Sequence, residues 1–523
     1  MCSVPNVRND IDAVLRSTWP GVTWERRADV IGARVAGDYV RSIAESLHAQ
    51  EFRLGTIVAS ERDDTLEVRY CFYARQGWVR FAAAVDPLER TLPSITPVVI
   101  AADWFEREIE DLFSIHFTEH PRLGDFVLHD EQWAENVGLM RPHVSADEDV
   151  PEERRDWRPK RVLEEEGAFV MPVGPVYSGE AESALFLLET VGEDVVRAIP
   201  RLFYKYRAIE KRAEGRNIDD VLLLAERCAG TSAFGNGWAY CRAVERALGV
   251  AVPERGERLR TFFAELERMR HHMTSIREIC ASTSLTVAES HALWLEEQLL
   301  RICGETAGHR YLFGVLAVGG LLRDYADSAL QRGLDRTGAL FEQIESLKDA
   351  LENSSSFLDR IERVGIVSQS SARAFELVGP FARASGVAAD LRTILPYGPY
   401  PDLQFQVPIE QEGDGYARLR LLFAEMRQSL GIMRQLGDRL PGGDIRVGVN
   451  ARNGCGLGWT EAPRGASVQW VELSDGGTIL RYRLTPPSFR NWHGFHVATE
   501  QFAFQDFPII LATLDLSVAE NDR

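Results

Sequence analysis

Residues 52–85 alternate apolar and polar positions in the manner typical of β-strands. Three segments combine this period of two with many β-branched and aromatic residues, at 52–60, 65–73 and 79–85. A helical pattern at 34–51 precedes them, and a proline-punctuated loop at 92–97 follows. The pattern predicts a helix and three strands in a small α/β unit.

The segment 103–113 has a different period. Its apolar residues Phe105, Ile109, Leu112 and Phe113 recur at the spacing of one helix face. The segment is therefore predicted to be a short amphipathic helix that completes the small unit. Residues 143–168 are charged and show no period, which is typical of a linker.

The remainder of the chain is dominated by the helical period. Apolar residues follow it through 259–279, and the pattern returns at 286–305, 327–362 and 414–440. Patterns typical of β-strands occur at 466–473 and 478–484. We predict an α+β protein with an α/β domain at 1–142, a linker at 143–168, and a mainly helical domain with β additions at 169–523.

Composition narrows the possible partners. A chain of 523 residues with 45% apolar residues can bury a large core, and two or three domains are expected. Its formal charge of −19 argues against nucleic acid or an anionic membrane as a partner. No window approaches the ~18 uninterrupted apolar residues of a membrane span, and the N-terminus lacks the apolar core of a signal peptide.

The cysteine pattern bears on cofactors. The seven cysteines are scattered without a C-x-x-C pair, so no iron–sulfur cluster is expected on this chain, and the pattern fits a reducing compartment. The glycine-rich segments 413–415 and 454–458 lack the strand–turn–helix context of a nucleotide loop. We predict no cofactor on this chain.

Several ordered motifs carry a family resemblance. Residues 94–123, SITPVVIAADWFEREIEDLFSIHFTEHPRL, resemble the C subunit of bacterial NADH:quinone oxidoreductase. The rest resembles the D subunit and the large subunits of group 4, energy-converting [NiFe] hydrogenases. The motifs that carry the second resemblance lie at 204–211, 239–245, 265–268, 319–320, 383–386, 461–465 and 487–491. The fused order is similar to that of the formate hydrogenlyase and hydrogenase-4 large subunits, which implies a hydrogenase-large-subunit-like second domain.

The metal-ligand positions depart from that family. Residues 227–232 (RCAGTS) and 515–520 (DLSVAE) stand where the family has Arg-x-Cys-Gly-x-Cys and Asp-Pro-Cys-x-x-Cys. The four ligand positions therefore read Ala229, Ser232, Ser517 and Glu520. Since nickel in this site needs soft thiolate ligands, we predict that no nickel–iron centre forms.

The resemblance implies a place in a larger assembly. The expected role is the peripheral-arm large subunit of a membrane-bound, complex I-like oxidoreductase, on the cytoplasmic side of the inner membrane. Electron transfer would be coupled to ion translocation, with a quinone-type pocket. The implied partners are an iron–sulfur small subunit and membrane ion-translocating subunits. The alternative is a non-catalytic assembly and coupling subunit that docks the small subunit onto the membrane part.

Three residues are candidates for proton or quinone chemistry. Tyr177 stands at a histidine position of the family's pocket loop, and a phenol can donate a hydrogen bond to a quinone oxygen. Glu182 matches a family glutamate thought to pass protons, and His272 on the predicted long helix could exchange a proton near neutral pH. The alternatives are a packed tyrosine ring, an ordinary surface glutamate and a hydrogen-bonded core histidine.

Overall fold

The computed structural model describes residues 10–62, 65–129, 133, 138–145, 167–176 and 182–523. The chain divides into two compact units, residues 1–158 and 159–523. Most of the predicted linker at 143–168 lies outside the described residues, so its boundaries stay a prediction.

A five-stranded sheet forms the core of the first unit. The described elements, in chain order, are α1 Asp10–Thr18, β1 Glu25–Arg27, β2 Val30–Val35, α2 Val40–Ala49, β3 Arg53–Arg62, β4 Thr65–Ala74, β5 Gly77–Val85, β6 Thr91–Pro93, α3 Asp103–Phe113 and β7 His116–Thr118. The sheet order is β1-β2-β5-β4-β3, in which only the β2–β5 pair is parallel. The three predicted strands correspond to β3, β4 and β5, and the predicted helix at 103–113 to α3.

One prediction in this unit is partly wrong. The helix expected at 34–51 begins only at Val40, because residues 30–35 form the strand β2. This six-residue strand pairs in parallel with β5, from Val30 opposite Trp78 to Val35 opposite Ala83. The backbone hydrogen bonds of that pairing outweigh a local helical pattern at the end of a short strand.

The second unit is mainly helical. Its elements begin with β8 Ala168–Val173, β9 Leu185–Val191, β10 Asp194–Arg201, α4 Ile209–Ala213, α5 Ile218–Glu226, α6 Ala233–Leu248, α7 Glu254–Ser282, α8 Thr286–Ala307, β11 Leu316–Ala317, β12 Gly320–Leu321, α9 Asp327–Glu352 and α10 Ser355–Ile361. They continue with α11 Gln369–Ala374, α12 Gly379–Ala384, α13 Leu391–Ile394, α14 Gly415–Asp438, β13 Gly454–Ala462, β14 Gly465–Leu473, β15 Ile479–Thr485, α15 Pro487–Asn491, α16 Phe495–Ala498, β16 Glu500–Ala503, α17 Phe507–Leu514 and α18 Val518–Asn521. The α+β fold class is confirmed.

The 29-residue helix α7 is the centre of this unit. It packs against α6, α8, α14 and α17, and nearly all of its faces are buried. The predicted helices at 259–279, 286–305 and 414–440 correspond to α7, α8 and α14. The single helix expected at 327–362 is two helices, α9 and α10, separated at residues 353–354.

Three small sheets among the described residues complete the second unit. Their orders are β16-β10-β9-β8, β13-β14-β15 and the two-stranded pair β11-β12. The predicted strands at 466–473 and 478–484 are β14 and β15, whereas β8, β9, β10 and β13 were not predicted. Strand β13 lies directly on α6, where a Cβ added to Gly456 or Gly458 would stand about 2 Å from a backbone oxygen of that helix. Alternate glycines permit this close approach and also hide the strand pattern.

No helix in the part of the chain that the structure describes is long and apolar enough to cross a membrane.

Candidate functional site

Two distant segments bring the four family ligand positions together. The loop between α5 and α6 carries Ala229 and Ser232, and the tail after α17 carries Ser517 and Glu520. All four residues are buried. The Ser232 hydroxyl donates a 2.5 Å hydrogen bond to Oε1 of Glu520, and the amide of Ser232 donates to the Ala229 carbonyl at 3.1 Å. We call the group formed by Ser232, Arg464, Ser488, Ser517 and Glu520 the tail pocket.

The carboxylate of Glu520 is fully engaged inside the tail pocket. Its Oε2 accepts hydrogen bonds from the hydroxyl of Ser488 at 2.5 Å and from the amide of Ser488 at 3.2 Å. Nη1 of Arg464 lies 3.7 Å from Oε1, which supplies a compensating charge. A buried carboxylate is tolerated because both oxygens are hydrogen-bonded and a cation is near. Hydroxyl, amide and guanidinium groups of the protein thus satisfy the Glu520 carboxylate.

The tail pocket does not fit a nickel–iron centre. The side-chain atoms that could ligate a metal there are hydroxyl and carboxylate oxygens, and the adjacent Ala229 has no ligating atom. A nickel–iron centre requires four thiolates. Among the described residues, no three His, Cys, Asp or Glu side chains are grouped so that they could hold a metal ion. The neighbouring thiol of Cys228 is buried, which raises its pKa to about 12 and keeps it protonated.

Glu182 contacts the tail from the surface side. The residue is exposed, yet its Oε1 accepts hydrogen bonds from the Ser517 hydroxyl at 3.2 Å and from the Ala519 amide at 3.1 Å. Its Oε2 accepts from the amide of Val518. The carboxylate therefore lies at the N-terminus of α18, where the unpaired amides of a helix favour negative charge. Of the two predicted site residues that the structure describes, Glu182 contacts the tail pocket and His272 does not.

Asp515 anchors the start of the tail. Nη2 of Arg464 lies 3.1 Å from its Oδ1, and Nε2 of His271 lies 2.8 Å from its Oδ2. Burial alone would raise the pKa of Asp515, but the Arg464 charge and the His271 hydrogen bond hold it below its usual value. Burial lowers the pKa of His271 to about 3, so its ring is neutral. Sequence reasoning did not single out His271.

Helix α7 also fixes the loop that carries Ser232. The carboxylate of Glu267 accepts hydrogen bonds from the amides of Phe234 and Gly235, both at 2.8 Å, at the start of α6. The guanidinium of Arg270 donates to the carbonyl of Thr231. One turn of α7 therefore holds both the loop and, through His271, the tail.

The structure places His272 away from the tail pocket. Its Nε2 lies 2.8 Å from Oε2 of Glu425, whose Oε1 accepts a 2.7 Å hydrogen bond from Arg383. These residues belong to a buried core ion cluster whose members are Glu265, Arg268, His272, Arg383, Asp390, Arg392, Glu425 and Glu461. Burial lowers the pKa of His272. This environment favours a structural role over proton exchange near neutral pH.

Tyr177 lies outside the described residues.

Comparison with known proteins places the chain in a family. The family model described as respiratory-chain NADH dehydrogenase, 49 Kd subunit, matches residues 288–453 and 445–523, and the 30 Kd subunit model matches residues 33–145. One of the D-type subunits of NADH-quinone oxidoreductase from Solibacter usitatus (strain Ellin6076) is 30% identical over 359 residues, covering 68% of this chain and 97% of that protein. The chain belongs to the fused 30-kDa and 49-kDa NADH dehydrogenase subunit family.

Relatives with the same fused arrangement cover almost the whole chain. Formate hydrogenlyase subunit 5 of Escherichia coli (strain K12) is 27% identical over 528 residues, covering 98% of this chain and 92% of the relative. Hydrogenase-4 component G of the same strain is 26% identical with the same coverage. The resemblance to a complex I-like and hydrogenase-4-like large subunit, drawn from the sequence motifs, is confirmed.

Proposed function

We propose that this chain is the peripheral-arm large subunit of a membrane-bound, complex I-like and hydrogenase-4-like oxidoreductase complex that works without a nickel–iron centre. The observation that supports this proposal is the carboxylate of Glu520, which occupies a family thiolate position and is hydrogen-bonded to Ser232 and Ser488. In this proposal the scaffold keeps its role in the assembly. Hydrogen chemistry at nickel is excluded because hydroxyl and carboxylate oxygens stand in place of the soft thiolate ligands.

The partners follow from the family. We propose an iron–sulfur small subunit as the electron carrier next to the tail pocket, and membrane subunits that translocate ions. The complex would then lie on the cytoplasmic side of the inner membrane, with its cluster in the small subunit. The relatives' names, which describe subunits or components of oxidoreductases, support this proposal.

Within that assembly, Glu182 is the candidate proton-handling group. Its carboxylate is exposed on one side and hydrogen-bonded to Ser517 on the other, so it connects solvent with the tail pocket. On the sequence motif alone, Tyr177 is the candidate donor of a hydrogen bond to a quinone-type acceptor. Reduction of that acceptor takes up protons, and a carboxylate at the pocket rim can relay them.

A second function is favoured by the closed hydrogen bonding of the tail pocket. Both oxygens of Glu520 and both oxygens of Glu182 are engaged by groups of the protein itself. Such a pocket suits a rigid coupling subunit that docks the small subunit onto the membrane part and binds no acceptor.

Metal analysis of the intact complex tests the main proposal. The complex is purified through an N-terminal tag on this chain with its partners retained, and its nickel and iron are quantified by mass spectrometry. We expect iron without nickel. Stoichiometric nickel would contradict the proposal, because the ligands would then come from residues other than the four family positions.

Quinone reduction separates the two functions. The purified complex is assayed with decylubiquinone, and Glu182→Gln is compared with Glu289→Gln on α8 as a matched control. If the pocket handles protons, Glu182→Gln lowers the rate about tenfold or more and the control does not. Reduction that is absent from the wild type, or unchanged in Glu182→Gln, favours the coupling role.

A further inference from the structure

The segment between β10 and α4 wraps around the end of the chain. Two of its residues, Phe203 and Ala208, have left-handed backbone conformations, at φ 65° and 53°, although neither is glycine. The backbone amides of Phe203 and Lys205 both donate to the carboxylate of Asp522, at 2.8 and 3.1 Å. The backbone amide of Arg207 donates to the carbonyl of Asp522 at 3.1 Å. This segment therefore holds one residue of the tail through several polar groups.

The side chain of Arg207 extends this contact to a second segment. Its Nε donates to the Asp522 carbonyl at 3.3 Å, and its Nη2 donates to the carbonyl of Ala519. On the other side, Nη1 donates to the carbonyl of Arg227 at 2.9 Å, and Nη2 donates to the carbonyl of Cys228 at 2.7 Å. One guanidinium thus joins two carbonyls of the tail to two carbonyls of the loop after α5.

The four acceptors of these side-chain bonds are main-chain carbonyls. A guanidinium presents five N–H donors in one rigid plane, so it can hold several acceptors in a fixed arrangement. Hydrogen bonds from a charged donor are also about twice as strong as neutral ones. Because carbonyl oxygens do not titrate, the link through Arg207 does not depend on pH. The contact between Arg464 and Asp515, by comparison, requires an ionised carboxylate.

Arg207 and Glu182 hold the same tail residue through opposite groups of its backbone. Glu182 accepts a 3.1 Å hydrogen bond from the amide of Ala519, and Arg207 donates to the carbonyl of Ala519. A displacement of Ala519 therefore changes the position of the Glu182 carboxylate, which also accepts a 3.2 Å bond from Ser517. Glu182 is exposed and Arg207 is half-buried, so water screens the contacts of Arg207 less.

We propose that Arg207 is a positioning residue of the tail pocket. It fixes the tail against the loop after α5 and, through Ala519, holds the carboxylate of Glu182 where that group handles protons. The kinetic consequence of this inference rests on the proposed function, whereas the link between the two segments does not. The two parts are therefore tested by different measurements.

Hydrogen-exchange mass spectrometry on the purified complex tests the link. The matched control for Arg207→Gln is Arg216→Gln, because this exposed arginine donates to the carbonyl of Arg212 one helical turn earlier. We expect Arg207→Gln to speed exchange about tenfold in both 224–233 and 515–523, and the control to change neither. Arg207→Lys keeps the charge with fewer donor directions, so a smaller increase is expected in both segments. It replaces the glutamine variant if that variant does not assemble. A change in one segment alone, or in neither, would overturn the proposal.

The kinetics of decylubiquinone reduction test the positioning role. Arg207→Gln is expected to lower kcat about tenfold and leave KM unchanged, because Arg207 acts through Glu182 and not on the acceptor. Combined with Glu182→Gln, the two losses should not add, since both act through one carboxylate. Additive losses, or a raised KM with unchanged kcat, would overturn the positioning role. A wild type that reduces no quinone would contradict the proposed function instead, and hydrogen exchange would still decide whether Arg207 links the two segments.

Discussion

The hydroxyl of Ser232 donates a hydrogen bond to the carboxylate of Glu520, 288 positions later in the chain. The sequence motifs align both residues with metal-ligating cysteines of [NiFe] hydrogenase large subunits, and here an oxygen–oxygen contact joins them directly. The contact therefore links the loop after α5 to the tail of the chain.

Removing the carboxylate of Glu520 tests how much the link stabilises the helical unit. Glu520→Ala leaves the hydroxyls of Ser232 and Ser488 and the charge of Arg464 without this partner. We expect a loss of about 2–4 kcal/mol in the free energy of unfolding, measured by denaturant titration. Glu305→Ala, which breaks the exposed Glu305–Arg336 pair, should cost less than about 1 kcal/mol. Equal losses in the two variants would mean that the tail pocket carries no special stability.

The Asp515 carboxylate should contribute a stability that depends on acid pH. Asp515→Asn keeps the left-handed backbone at φ 50° but removes the charge that faces Arg464 and His271. We expect a loss of about 2–4 kcal/mol at neutral pH. Because the folded pKa of Asp515 lies below its unfolded value, the wild-type advantage is complete above about pH 4 and declines as the pH falls further. Unfolding curves of both proteins from pH 3 to pH 7 measure this difference, and parallel pH profiles would refute it.

Asp522 should have the opposite pH dependence. Its carboxylate accepts hydrogen bonds from the amides of Phe203 and Lys205, but burial raises its pKa to about 6. Ionisation of this group therefore opposes folding between about pH 4 and pH 6, by up to about 3 kcal/mol. We expect Asp522→Asn to gain stability relative to the wild type as the pH rises through this window. The measurement is the difference in unfolding free energy at pH 4 and at pH 6.5, and a constant difference would contradict the assignment.

Glu182 should hold the tail against local opening. Glu182→Gln weakens the bonds to the amides of Val518 and Ala519 and leaves the pocket interior unchanged. We expect hydrogen exchange at residues 515–523 to be about tenfold faster, which corresponds to a change of about 1.4 kcal/mol. Hydrogen-exchange mass spectrometry measures it, with peptides from α8 as the internal control. Unchanged protection of the tail would mean that the Glu182 contacts contribute nothing to docking.

Strand β13 should not tolerate side chains at its glycines. A Cβ at Gly458 would stand 2.1 Å from the carbonyl oxygen of Ala239 on α6. We expect Gly458→Ala to cost more than about 3 kcal/mol or to prevent folding. Gly431→Ala in α14 meets nothing within 4 Å and should gain about 0.5–1 kcal/mol from helix propensity. Thermal unfolding of both variants tests this prediction. Similar melting temperatures would show that β13 moves away from α6 to accommodate the new side chain.

The elements with an unbroken apolar period were predictable from the sequence. Helices α3, α8 and α14 and strands β3, β4 and β5 were predicted, since each presents a regular face to its core. Strand β13 was not predicted because its alternate positions are glycine. Strand β2 was not predicted because six residues give too short a pattern, and its pairing with β5 depends on the fold.

The site was only partly predictable. The motifs at 227–232 and 515–520 located the family ligand positions, and Glu182 was identified with them. His271 was missed because α7 is buried on nearly all faces, so that the apolar stripe in its sequence does not mark the side that faces the tail. His271 and His272 are adjacent, and about 100° of rotation directs them to different partners, Asp515 and Glu425. Such pairings between distant segments leave no periodic signal.

The two halves of the tail pocket are 288 residues apart in the chain, so the ribosome synthesises them at different times. At about 5–20 residues per second, roughly 15–60 s separate the emergence of Ser232 from that of Glu520. During this interval the loop after α5 lacks the carboxylate that later accepts its hydroxyl hydrogen bond, and at the end of the interval Arg464 still lacks Asp515. The nascent helical unit therefore carries an unfinished polar cleft in its core, and the arrival of the tail is the step that closes it.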